Sequence, residues 1–319
     1  MSATDNDAAR PAVAPCLSVG QRRQLVLITL GAVAVFVVMR LLPTGTNLNH
    51  MDFRVSGKNS IEFCDPTNPQ FIPVVAVASP VSLTLVSTTP AEAGKEESVV
   101  FRLRTASGKP VAPEDLVIAH TKKLHLLIAD PSLTDYQHVH PEPTARAGEW
   151  AFRFTPRFGG TYRIFGDFTP VATNRSLYAN TDLPVAGAGP EPAAVAAAKS
   201  IGWTTERDGY RFSLVPATQP VRARQPEDLK FVVTRADGGA VPMEPVMGAF
   251  AHLVAFDETR SGFAHLHPME TNLLAPPDAV RPTLNFKITI PRAGRYVIWA
   301  QVKLGGREVF APFWFEVAE

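Results

Sequence analysis

The chain has only two cysteines in 319 residues, Cys16 and Cys64, and they flank its one long apolar run. Thiols on opposite sides of a membrane cannot pair, so no disulfide framework holds this fold together. Charge is also sparse: 19% of residues are charged and the net charge is +1, which leaves no broad basic field for nucleic acid. There is no Gly-x-Ser-x-Gly elbow, Walker loop, His-Glu-x-x-His or Cys-x-x-Cys, so the common signatures of hydrolase, nucleotide and thiol-redox chemistry are missing. Long helical patterns are scarce too. The 29 prolines and 21 glycines break the chain into short apolar runs, as strands and turns require.

The long apolar run is Gln24–Leu42, with Arg40 as its only charge. Its length is about the 20 residues that a helix needs to cross a bilayer, and in lipid only a helix satisfies its own backbone. Arg22 and Arg23 precede it, which favours a cytoplasmic N-terminus. No small-x-small cleavage site follows closely, since Pro43, Thr44 and Gly45 come next. This predicts an uncleaved signal-anchor, with 1–23 as a cytoplasmic tail, 24–42 as the transmembrane segment and 43–78 as a stalk.

Beyond the stalk, two strand series repeat in the same order. Leu124-His-Leu-Leu-Ile-Ala-Asp130 matches Ala251-His-Leu-Val-Ala-Phe-Asp257, and Gln137-His-Val-His-Pro141 matches Ala264-His-Leu-His-Pro268. Tyr162-Arg-Ile-Phe-Gly-Asp-Phe168 then matches Tyr296-Val-Ile-Trp-Ala-Gln-Val302. Ordered self-similarity at this scale marks a duplicated domain. Period-two alternation places Tyr162, Ile164 and Phe168 on one strand face over a core. The expected fold is mainly β: an N-terminal transmembrane helix followed by two tandem immunoglobulin-like β-sandwich domains, 79–187 and 200–319, joined by a linker at 188–199.

Seven of the eight histidines lie in the repeats. Copy one has His125, His138 and His140; copy two has His252, His265 and His267, at identical spacing. If each set lies on a hairpin with His125 opposite His140, then position 127 lies opposite His138. Residues two apart share a face, so three imidazoles would cluster there. Three imidazoles from paired strands suit zinc or copper. A fourth ligand is sought five residues upstream, at His120 in copy one and Met247 in copy two. An odd spacing would need a bulge near Thr121–Lys123 to bring it round. Met269, two residues past His267, is a further thioether, and imidazole with thioether favours copper.

With these residues laid out, Lys123-Leu-His-Leu-Leu-Ile through Gln137-His-Val-His-Pro and Gly160-Thr-Tyr-Arg-Ile-Phe-Gly-Asp resembles bacterial exported immunoglobulin-like β-sandwich domains with a His-x-His-Pro motif. That family accompanies copper and heavy-metal efflux systems. The resemblance implies an envelope location, metal handling and metal-efflux or other envelope proteins as partners. Three functions are carried forward. The first is an inner-membrane, single-pass protein with periplasmic or extracellular domains that binds copper, with zinc as the alternative, for buffering or delivery and without turnover. The second is a metal-free structural or adhesion module that docks a protein partner. The third is a zinc-dependent hydrolytic enzyme, because three histidines with an open position can activate water.

Overall fold

The structure, a computed structural model, describes residues 17–41, 46, 48–54, 70–86 and 90–319. Both cysteines, and the Pro43–Gly45 stretch used to argue against cleavage, lie outside the described residues. Thr46–Glu319 forms one compact unit, separate from the unit that holds the N-terminal helix.

That helix spans Val19–Leu41. It starts ahead of the apolar run because Ser18 caps it: Gln21 N–H donates to Ser18 Oγ at 3.2 Å, and Ser18 N–H donates to Gln21 Oε1 at 2.9 Å. Its Val19–Met39 portion, with mean hydropathy 1.8, is long and apolar enough to cross a membrane, alone in this among the described residues.

The large unit contains two β-sandwiches that share a central strand plan and differ at their sheet edges. In the first, Val81–Leu85, Glu97–Thr105, Glu149–Phe154 and Glu142–Pro143 form one sheet. Ala91–Glu92, Leu177–Ala186, Gly160–Phe168, Leu124–Ala129 and Tyr136–Val139, in that spatial order, form the other. In the second, Thr204–Arg207, Tyr210–Pro216, Pro226–Arg235 and Thr283–Thr289 face Val221–Arg222, Arg307–Ala318, Gly294–Leu304, Ala251–Asp257 and Phe263–Leu266. Strand pairing is antiparallel except for the short strands Ala91–Glu92 and Val221–Arg222, which lie parallel to the last strand of their domain. Tyr296 Oη donates to Arg292 O at 3.0 Å, the hydroxyl-to-upstream-carbonyl bond of an immunoglobulin-type tyrosine corner. The molecule is thus mainly β, with two tandem immunoglobulin-like sandwiches.

Alternation sorts the apolar residues into three cores rather than two. Leu124, Leu126 and Ile128 join the interior of the first sandwich with Trp150, Tyr162 and Ile164. Ala251, Leu253 and Ala255 do the same in the second with Phe231 and Phe313. The opposite faces of these strands meet each other. Leu127, Ala129, Tyr136 and Phe165 of the first domain pack with Val254, Phe256, Phe263, Val297 and Trp299 of the second. Both faces of the two histidine-bearing sheets are therefore covered, and Leu124–Ala129 is buried at every position. Burying apolar area on both faces fixes the angle between the domains far better than a linker could.

The chain ahead of the first sandwich is woven into this unit. Leu48 and Phe53 enter the core of the first domain, and Asp52 pairs with Lys109 at 2.7 Å. Phe71 enters the core of the second, and Ile72 exchanges backbone hydrogen bonds with Phe263 at 2.8 and 3.1 Å. Gly262 permits this contact: a Cβ there would lie 1.8 Å from Ile72 O.

Candidate metal centre

The hairpin register matches the sequence expectation: Leu126 pairs with Val139 and Leu127 with His138, which carries His125 opposite His140. In the second domain Leu253 pairs with Leu266 and Val254 with His265. Each triad converges. One nitrogen from each of His125, His138 and His140 lies within 4.8 Å of the others, and the same holds for His252, His265 and His267. Both triads stand at the edge of the interdomain core, on the face shared with Leu127 and Val254. They adjoin across the boundary, with the His138 and His265 rings 5.3 Å apart and those of His125 and His265 5.7 Å apart.

Hydrogen bonds determine which nitrogen His125, His138, His252 and His265 present. Ahead of each first histidine is a two-residue turn, Ala119–Lys122 or Val246–Ala249, closed by reciprocal backbone hydrogen bonds. Its first carbonyl accepts from the histidine: His125 Nε2 to Ala119 O, and His252 Nε2 to Val246 O, both at 3.0 Å. Nδ1 of each ring is then the bare nitrogen. His138 Nδ1 donates to Gln301 Oε1 at 2.9 Å, and Gln301 Nε2 donates in turn to Glu308 at 2.7 Å, which fixes the orientation of the amide. His265 Nδ1 donates to Asp167 Oδ2 at 3.0 Å. Both of these supports cross the domain boundary.

The consequence is electrostatic. His125 Nδ1 faces His138 Nε2 and His140 Nε2 at 3.2 Å each, yet the first two nitrogens both carry lone pairs. In the second triad His252 Nδ1, His265 Nε2 and His267 Nε2 are buried and make no hydrogen bond. Facing lone pairs repel unless a donor or a cation lies between them. Protonation is opposed: burial holds His138, His265 and His267 well below the ordinary histidine range, and pushes His140 down to about 3 and His252 to about 4. A metal fits. Tetrahedral Zn–N bonds of about 2.0–2.1 Å place ligand nitrogens about 3.3 Å apart. The donor set {Nδ1, Nε2, Nε2} is the same in both triads.

The remaining sequence candidates are placed differently. His120 occupies the Ala119–Lys122 turn, where it and Thr121 have φ of 49° and 69°. A two-residue turn of this hand replaces the bulge expected there. It turns His120 out of its own triad: the ring stacks on His267 of the other domain at 3.6 Å and 14°. A metal lies in the plane of each imidazole that binds it, so these two rings do not share an ion in this arrangement. Met247 holds the matching corner of the other turn, with φ of 50°. Met269 is 65% exposed, outside the triad. The strand ends at Leu266, so the two-residue rule lapses before it.

Sequence reasoning missed the supporting groups, the Ala119 and Val246 carbonyls, Asp167 and Gln301. A signal was present. Asp167 and Gln301 are matched repeat positions paired across strands with His125 and His252. They also share a face with Phe165 and Trp299, apolar residues on what would otherwise be a solvent face.

A family described as Domain of unknown function (DUF8832) matches twice, over residues 76–184 and 204–319. No curated protein matches the chain. Three solved structures are similar. A protein of Corynebacterium diphtheriae described as membrane-anchored is 9% identical at a TM-score of 0.24, over 76% of this chain and 59% of that one. The Escherichia coli adhesin FdeC is 14% identical at 0.23, over 75% and 64%. The fibronectin(III)-like modules of Clostridium thermocellum CbhA are 10% identical at 0.18, over 74% and 94%. The chain thus spans less than two thirds of the first two.

Proposed function

Because the chain belongs to the DUF8832 family, whose domain it carries twice, we propose a function from the chemistry of its own site: a membrane-anchored protein that binds a transition metal in two three-imidazole sites. Three imidazoles suit copper and zinc alike, with copper placed first by the family resemblance, and the role is buffering or delivery without turnover. In this reading the Val19–Leu41 helix anchors the protein in a bacterial inner membrane with the N-terminus in the cytoplasm. The sandwiches then lie in the periplasm or outside the cell, within reach of efflux or other envelope proteins.

One observation carries the reading. In each domain two buried imidazoles, His125 with His138 and His252 with His265, are held by hydrogen bonds through their other nitrogen and aim bare lone pairs at the point the third ring faces. Neutral, pre-oriented rings are what a metal ion requires, and a buried nitrogen without a partner is what a purely structural histidine avoids.

The test is titration of the full chain, purified in detergent without a histidine tag, with Cu(I), Cu(II) and Zn(II). Two equivalents should bind, with one lost in His138→Ala/His140→Ala and the other in His265→Ala/His267→Ala. Binding at nonspecific background in the folded wild type would refute the metal reading. The second reading is a docking module, which a loop with Leu274 at 94% and Val280 at 52% exposure favours; background binding would leave that reading standing.

A further inference from the structure

We propose that the two triads are unequal, and that His252, His265 and His267 form the divalent-ion site, filled first because Asp167 of the other domain stands behind His265. This rests on the metal-binding reading and deepens it. The two domains exchange support in the same way: His138 leans on Gln301 of the second, and His265 leans on Asp167 of the first. Asp167 and Gln301 are the same position of the repeat, paired with His125 and His252 in their own sheets. Geometry is thus conserved between the sites while charge is not.

The difference matters because the centre is otherwise neutral. Each triad offers three uncharged imidazoles, and a dication among them needs a negative charge close by. Asp167 supplies one at hydrogen-bond distance from a ligand ring, 3.0 Å from His265 Nδ1, with its side chain only 17% exposed. A carboxylate there raises the donor strength of the imidazole and offsets the charge of the ion. Gln301 holds His138 equally well and brings no charge. Its own partner, Glu308, is one hydrogen bond further out and solvent-exposed, where water screens it. Asp167 also lies across the strand from His125 and its charge reaches that ring, but its hydrogen bond goes to His265, so the first triad is left as the weaker divalent site. A monovalent soft ion such as Cu(I) asks for less compensation, so the first triad tolerates it better than it tolerates Zn(II).

The experiment is a Co(II) and Zn(II) titration of the full chain in detergent, followed by the ligand-field absorption of cobalt. Two steps are expected, the tighter by about 10- to 100-fold, the range that loss of a supporting carboxylate usually spans. His265→Ala/His267→Ala should remove the tight step. Asp167→Asn keeps an acceptor for His265 Nδ1 and removes the charge. It should weaken the tight step by the same about 10- to 100-fold while two equivalents still bind, with the tetrahedral cobalt spectrum retained. Gln301→Glu should tighten the weak step. Two equal steps in the wild type, or an unchanged tight step in Asp167→Asn, would overturn this proposal alone. Absence of all binding would overturn the metal reading beneath it as well.

Discussion

Acid should unlatch the two sandwiches, and the size of the effect follows from how the histidines are buried. His138, His252 and His265 lie in the interdomain wall at 7%, 0% and, for the side chain, 5% exposure. Burial pushes all three pKa values down, that of His252 to about 4. In the unfolded chain each titrates near its ordinary value of about 6.5. Between that value and the lowered one, the unfolded state binds more protons. The stability these groups contribute is therefore complete above about pH 6.5 and lost as pH falls below it.

From pH 7.5 to 5.0 each ring costs about 2 kcal/mol, so the three together cost about 6 kcal/mol as an upper value. Asp167 and Asp135, whose carboxyls burial pushes up, shift the other way and offset a part. A domain has only about 5–15 kcal/mol in hand, so the metal-free interface should open by pH 5. The assay is urea unfolding in a chelator, read on tryptophan fluorescence, because Trp299 and Trp314 lie in the interdomain core. With a slope of about 2–3 kcal/mol per molar, the midpoint should fall by roughly 2 M. His138→Phe/His265→Phe should flatten the profile by about 4 kcal/mol over the same interval. A midpoint that stays put from pH 7.5 to 5.0 would refute the claim that burial keeps these rings neutral.

Three further outcomes are expected. Leu127→Ala removes a fully buried side chain from the interdomain core, whereas Leu126→Ala removes its neighbour from the first sandwich. Each should cost about 2–5 kcal/mol, but only Leu127→Ala should also weaken metal binding at both triads, as equilibrium dialysis would show. Gly262→Ala drives a methyl into Ile72 O. It should cost about 1–3 kcal/mol and speed hydrogen exchange at the Ile72 amide, and protection equal to wild type would contradict it. Metal at about a thousandfold over Kd adds about 4 kcal/mol per site, so melting should rise by several degrees with each triad filled. Either double-alanine variant should show roughly half that rise.

The fold was legible in the sequence because two independent patterns agreed. Period-two alternation marked the strands, and the second series repeated the first residue by residue. The histidine register was legible for the same reason: His125, His138 and His140 can cluster in only one pairing of that hairpin, and Leu127 opposite His138 is that pairing. What stayed hidden was the partner face. In Leu124-His-Leu-Leu-Ile-Ala129 the apolar residues fill both faces, a sign that both are covered. An alternating pattern shows that a face is buried and not against what. The Gln301 and Asp167 supports come from the opposite domain and cannot be read from local spacing. His120 illustrates the same limit: its offset from His125 is visible, but the two-residue turn that swings it across the boundary is a backbone event.

The mutual grip of the two sandwiches has the form of an isologous contact: position 138 of one copy meets 301 of the other, and its counterpart 265 meets 167. In a homodimer such a patch must complement itself, so any substitution appears twice and is tested against itself. Joining the copies in one chain lifts that constraint. Each side of the pseudo-axis is then free to differ, and several pairs here do: Asp167 with Gln301, Tyr136 with Phe263, Phe165 with Trp299, His120 with Met247. Gene fusion turns a symmetric pair of identical sites into two addresses within one molecule, and every residue along the axis becomes a place where they can be told apart.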